Sequence, residues 1–182
     1  MVKVKIYIEG AGPGPEQSTE FRQAWREFFV KSGLERLPAV VRGQSREQTW
    51  DLFQTAVRAR KKDELPILLV DSETAVQSGH SAWLHLAKEN WKRPDGAGEN
   101  DAFLMVQTME TWILAGLEPE SRWPELELVE KEKIFLALKA ATGNRYRKGR
   151  VSFAFLEKVD HAAVKRKCAW AERLLDRLKE LQ

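Results

Sequence analysis

The sequence predicts an α/β protein: a mostly parallel central sheet of about four strands flanked by helices, followed by a helical C-terminal extension. Three observations lead there. Strand-like and helix-like segments alternate from the start to about Leu117. One segment, Pro66-Ile67-Leu68-Leu69-Val70, is apolar at every position, as a parallel strand covered on both faces must be. After Pro119 only helical periodicities recur.

The elements follow in order. Val2, Val4, Ile6 and Ile8 alternate with Lys3, Lys5 and Tyr7, which reads as a strand with one buried face. Gly10-Ala11-Gly12-Pro13-Gly14-Pro15 interrupts both regular structures and forms a loop. Phe21, Trp25, Phe28 and Phe29 share one helical face, and Gly33 can end that helix. Leu37 to Val41 is a short second strand. Ser45 and Gln48 have capping-box spacing and open a helix running to Lys62. The third strand, Pro66 to Val70, stops at Asp71-Ser72-Glu73. A helix over Ser81 to Asn90, a loop over Arg93 to Gly98, a fourth strand over Ala102 to Gln107 and a helix over Met109 to Leu117 complete the alternation. Helices over Glu130 to Thr142, Val151 to Val159 and Asp160 to Leu181 follow.

A chain of 182 residues with 43% apolar and 31% charged residues can bury a core without disulfides, so residues 1–182 are expected to form a single domain. These proportions exclude a disordered tail, and no apolar run approaches the length of a membrane span. Met1 to Ile6 lacks the apolar block of a signal peptide. The single Cys168 excludes a disulfide framework and a multi-Cys zinc site, and the expected location is cytoplasmic. Net charge is +3, but its distribution is uneven. Lys139 to Gln182 holds 12 Lys and Arg against 5 Asp and Glu, a balance of +7, which leaves −4 on the rest. Such asymmetry suits a polyanionic partner.

Ligands of open α/β sheets bind beyond the carboxyl ends of the strands. Glu9 closes the first strand, Asp71 and Glu73 close the third, and Glu110 lies in the first turn after the fourth. Converging carboxylates repel unless they are protonated or neutralised, and hard oxygen donors of this kind suit Mg²⁺ or Mn²⁺. Acidic residues at strand ends also cap helices, and a first-turn Glu such as Glu110 is favoured by the helix dipole in any case. The Gly-rich loop lacks the Gly-Lys-Ser/Thr ending of a phosphate-binding loop, and its prolines lack N–H donors. It reads instead as a flexible lip beside Glu9.

Arg145-Tyr146-Arg147-Lys148-Gly149-Arg150 places four cations around one aromatic. The cations can neutralise phosphates and Tyr146 can stack on a base, although a solvated basic loop has the same composition. Lys148 joins the site if this loop faces the acidic edge, where it would hold a scissile phosphate. His80, His85 and His161 lack metal-ligand spacing, and Cys168 and the tryptophans read as core.

Ile8-Glu9-Gly10, Leu68-Leu69-Val70-Asp71-Ser72-Glu73 and Met105 to Trp112, with Arg145 to Arg150 and Ala171 to Leu175, resemble the bacterial family known as domain of unknown function 4276. That family looks like a compact Toprim-type domain, and its members often accompany SMC/ABC-type ATPases in phage defence. The resemblance implies a Toprim-like core over 1–117 and a helical, basic part over 118–182. It makes Glu9 the Toprim glutamate and puts Asp71 and Glu73 in place of the Asp-x-Asp metal pair, with one longer ligand arm. The chain departs from the pattern at Ala115-Gly116, where an Asp usually stands, and over Leu117 to Pro124, which looks short.

The resulting expectation is a Mg²⁺- or Mn²⁺-dependent nuclease or phosphoryl-transfer subunit. Asp71, Glu73 and Glu110 would be its metal ligands, Glu9 and Lys148 its catalytic residues, and Arg145, Tyr146, Arg147, Lys148 and Arg150 its DNA or RNA contacts. A non-catalytic effector that docks on an ATPase is the alternative. A small-nucleotide phosphatase would use the same ions without the basic segment.

Overall fold

In a computed structural model that describes residues 2–10, 16–118 and 125–182, four strands form one parallel sheet. They are β1 (Lys3–Glu9), β2 (Ala39–Gly43), β3 (Glu64–Asp71) and β4 (Ala102–Met105), in the order β2-β1-β3-β4. Ile6 lies opposite Val40 on one side and Ile67 on the other, and Leu69 opposite Phe103. The chain therefore leaves β1 in one direction and β3 in the other. Right-handed crossovers in opposite directions put their helices on opposite faces.

Each face is closed by aromatic side chains. On one, Trp25 and Phe28 of α1 (Glu16–Lys31) pack on Trp112 of α4 (Met109–Leu117), with ring centroids 6.0 and 5.9 Å apart. On the other, Trp50 and Phe53 of α2 (Arg46–Arg58) pack against Trp83 of α3 (Ala82–Leu86), and Phe53 meets Tyr7 edge-on at 6.2 Å. Tyr7 is therefore buried, and β1 is covered on both faces at this level instead of on one.

The remaining helices are α5 (Lys131–Ala141), α6 (Arg150–Leu156), α7 (His161–Lys167) and α8 (Ala169–Glu180). They do not trail from the sheet. α6 packs on α1, α5 and α7 pack on α4, and α8 lies along β4, so a single hydrophobic core runs through both parts of the chain.

Several boundaries differ from expectation: β2 lies two residues beyond Leu37 to Val41, and α6 ends at Leu156, short of Val159. α2 ends at Arg58, short of Lys62, and α3 gives way after one turn to a 3₁₀ turn over Ala87–Glu89. β4 stops at Met105, because Gln107 adopts φ 55°. The stretch from Asp160 to Leu181 is two helices parted at the buried, extended Cys168. The apolar spacing Val164, Cys168, Ala171, Leu175, Leu178 runs on through that break, so periodicity alone does not reveal it. The loop over residues 11–15 and the segment 119–124 lie outside the described residues.

Candidate metal centre

The point where the connections reverse direction lies between β1 and β3, and their carboxyl ends carry Glu9 and Asp71. Beyond β3 the chain turns sharply. Glu73 adopts φ 61°, a left-handed conformation costly for a residue with a side chain. Its N–H donates to the carbonyl of Gln107, itself left-handed, at 3.1 Å. The buried Ser72 ties the two turns together, accepting from Gln107 N at 2.7 Å and donating to Thr74 O at 2.6 Å. His85 holds the same segment from α3, its Nε2–H donating to Ser72 O at 2.9 Å.

These turns bring Glu9, Asp71 and Glu73 together, with one carboxylate oxygen of each within 4.8 Å of the others. Asp71 and Glu73 share the site not because strand alternation continues but because the chain bends at Glu73. Asp71 Oδ1 also accepts the Met109 N–H at 2.8 Å, so the same carboxylate caps α4. The three carboxylates line a cleft of about 150 Å³ with Glu110, Lys131 and Lys148.

Two cations face the group. Arg46, the first residue of α2, donates through Nη1 to Glu9 Oε2 at 3.3 Å and to the Asp71 carbonyl. Its Nε and Nη2 grip Glu89 at 2.9 and 2.8 Å, and the guanidinium lies 4.7 Å over Trp91. Lys131 Nζ stands 2.6 Å from Glu73 Oε2. Gln107 places Lys131 by accepting its backbone N–H at 3.1 Å and donating to the Val129 carbonyl.

Carboxylates still predominate. Burial pushes the Asp71 carboxyl well above its ordinary range, and Glu9, Glu110 and Glu73 add to the shift, with Lys131 opposing. Burial also raises Glu9, which Arg46 opposes and Glu73 reinforces. Burial disfavours the charge on Arg46, but Glu89 and Glu9 more than offset it. Three hard oxygen donors whose mutual repulsion a cation would relieve are a donor set that fits a divalent ion such as Mg²⁺ or Mn²⁺.

Glu110 does not belong to the three-carboxylate group. It is buried, its Oε2 accepts from the Thr108 hydroxyl and its Oε1 accepts from the Tyr146 hydroxyl at 2.8 Å. Glu110, expected as a third metal ligand, thus lines the same cleft but stands outside the group of three, with each oxygen accepting from a hydroxyl.

The basic segment divides. Lys148 is exposed and lines the cleft. Arg145 and Arg147 are exposed too, though Arg145 Nε donates to Thr142 O at 2.9 Å and Arg147 Nη1 to Asn144 O at 2.7 Å. Arg150 opens α6, with its side chain outside the described residues. Tyr146 is fully buried, its ring against Phe135 and Phe155. A ring without an exposed face cannot stack on a base, so that expectation is overturned.

Arg46, Lys131 and Gln107 were not singled out by the sequence reading. Arg46 carried a signal, because a cation in the first turn of a helix opposes the helix dipole. Lys131, one of many lysines, carried none. No family model, curated protein or solved structure matches the chain. Among the described residues, no helix is long and apolar enough to cross a membrane.

Proposed function

We propose that this protein is a metal-dependent phosphoryl-transfer enzyme of the Toprim-like kind, a nuclease subunit acting on DNA or RNA. The observation that carries the reading is the set of three carboxylates, Glu9, Asp71 and Glu73, within 4.8 Å at the reversal point of a parallel sheet. Asp71 and Glu73, with Glu9 beside them, would hold Mg²⁺ or Mn²⁺. Such an ion supplies activation of water and charge stabilisation at the leaving oxygen. Glu9, its carboxyl raised by burial, exchanges a proton nearer to neutral pH than an ordinary carboxylate. Lys148, which lines the cleft with the carboxylates, holds the phosphate. The balance of +7 from Lys139 onward attracts the polyanion. Partnership with an SMC/ABC-type ATPase and a role in phage defence are drawn from the sequence resemblance alone.

The test is a cleavage screen on DNA and RNA with Mg²⁺ or Mn²⁺, run beside Asp71→Ala and repeated with a neighbouring ATPase added. Divalent-dependent cleavage that Asp71→Ala abolishes is the expected result. Equal cleavage by both proteins would refute the proposal.

One observation favours the non-catalytic reading: Arg46 and Lys131 already pair with two of the three carboxylates. A docking protein of that kind takes up no divalent ion. Calorimetry with Mn²⁺ separates the readings, since saturable heat lost in Asp71→Ala and Glu73→Ala belongs to the enzyme.

A further inference from the structure

We infer that the substrate is a strand with an unpaired nucleotide, whose base enters an apolar alcove beside the carboxylate cleft while its phosphate lies between Lys131 and Lys148. This deepens the reading of the cleft as a phosphoryl-transfer centre and rests on it. The alcove has a volume of about 410 Å³, within the range of roughly 300–1,000 Å³ usual for small-molecule sites. Glu110, Lys131 and Lys148 line both cavities, so the two are neighbours that share a wall.

The apolar walls of the alcove are Phe135 and Leu136, from the outer side of α5, while Glu132 and the hydroxyl-bonded Glu110 line it beside the two lysines. Leu136 is 63% exposed, among the most exposed large apolar side chains of the described residues. Phe135 leans edge-on against the buried Tyr146 at 5.6 Å, and Lys139 Nζ stands 4.8 Å from its ring centre. Phe135 is thus an aromatic that reaches the surface beside the basic loop, as the buried Tyr146 does not.

Apolar surface framed by two lysines suits a group that is flat and apolar on its face and tied to an anion. A nucleotide has that composition: one sugar separates base from phosphate, so a phosphate at Lys131 and Lys148 leaves its base within reach of Phe135 and Leu136. A base inside a duplex is enclosed by its pair and its stacked neighbours, and it must be unstacked before it can enter a pocket. An apolar side chain of a protein partner would fill the alcove equally well but gains nothing from the lysines. Lys131 serves at the boundary, since the positive charge now paired with Glu73 at 2.6 Å stays at the mouth of the alcove whichever anion it faces.

The test reads binding without turnover, in chelator, using a short single-stranded DNA with one 2-aminopurine and the same strand in a blunt duplex. The expected result is single-strand binding about ten-fold tighter than duplex binding at equal salt, with the 2-aminopurine fluorescence changed on binding. Leu136→Gln, at an exposed position, and Phe135→Ala should each remove about that ten-fold preference and leave duplex binding as it was. Equal affinity for strand and duplex, or full preference retained in Leu136→Gln, overturns the proposal. Mn²⁺ calorimetry on the same wild-type protein distinguishes the two levels. Metal heat present with no strand preference refutes the alcove alone, whereas no metal heat removes the reading on which it rests.

Discussion

Arg46 Nη1 lies 3.3 Å from Glu9 Oε2, while the same guanidinium holds Glu89 through its other two nitrogens. One side chain, only 11% exposed, thus links the end of β1 to the segment after α3 and also donates to the Asp71 carbonyl. Removing it leaves the half-buried Glu9 without its cation. Arg46→Ala should cost on the order of 3 kcal/mol in chemical denaturation, the usual loss when one partner of a buried pair is deleted. Arg46→Lys should recover little of that, because a lysine can neither grip Glu89 with two nitrogens nor stack on Trp91. Full stability in Arg46→Ala would show that Glu9 needs no counter-ion.

The contrast between Arg46 and Asp71 shows what could be read in advance. Glu9, Asp71 and Glu73 were visible because strand-ending acids are local features: an apolar run stops and a carboxylate follows. The parallel sheet was visible for the same reason, in the unbroken apolar run of β3. Arg46 is 25 residues from Asp71 in the chain and meets it only through the fold, as Lys131 meets Glu73 across 58 residues. Spacing says nothing about such pairs. Tyr146 failed in the opposite direction. Its basic neighbours suggested a surface loop, but its hydroxyl satisfies the buried Glu110, and a buried carboxylate needs donors more than the loop needs an exposed aromatic.

The raised Asp71 carboxyl fixes the sign of a pH effect. A group whose folded pKa lies above its unfolded value adds stability below the unfolded value and loses that contribution as pH rises through the folded one. Asp71 therefore weakens the metal-free protein as pH rises above about 4, the ordinary carboxylate value. Asp71→Asn keeps an acceptor for the Met109 N–H and removes the charge. It should be more stable than wild type at neutral pH in chelator, by on the order of 1 kcal/mol, with the difference vanishing in acid. Denaturation curves at several pH values check this, and a difference that grows in acid would contradict it.

Mn²⁺ should supply by binding what Asp71→Asn supplies by substitution. A ligand held only by the folded state stabilises it by about 2.7 kcal/mol at a hundred times its dissociation constant. The wild type should gain stability with saturating Mn²⁺ at neutral pH, and Asp71→Asn should gain little. Equal gains in both proteins would place the ion elsewhere.

Tyr146→Phe separates a structural role from a base-stacking one. The hydroxyl donates to Glu110 Oε1 at 2.8 Å in a fully buried setting, and its loss leaves a carboxylate oxygen short of a donor. The expected cost is about 2 kcal/mol, typical of a hydrogen bond to a charged group. The ring is retained, so affinity for single-stranded DNA should stay within about two-fold of wild type, well short of the loss expected for a stacking contact. A large loss of binding with unchanged stability would return Tyr146 to the surface.

The packing of α4 leaves no room for a side chain at Gly116. A Cβ at this position would lie 2.3 Å from the Val159 Cβ and 3.0 Å from Val164 Cγ2, while the Gly116 carbonyl accepts the Asp160 N–H at 3.0 Å. The turn between α6 and α7 is thereby pressed against α4 with no space between them. Two effects compete in Gly116→Ala. Helix propensity favours alanine by about 1 kcal/mol, and overpacking against backbone-anchored Cβ atoms costs typically 1–3 kcal/mol and more where nothing can yield. With Val159 held in the turn between α6 and α7, whose Asp160 N–H is bonded to the Gly116 carbonyl, the steric cost should win. We expect a net loss of about 2 kcal/mol in thermal or chemical denaturation, with Mn²⁺ binding at Asp71 and Glu73 retained in the folded protein. A stabilised Gly116→Ala would mean that α7 can move away from α4, and that the close approach there is not what keeps a side chain out.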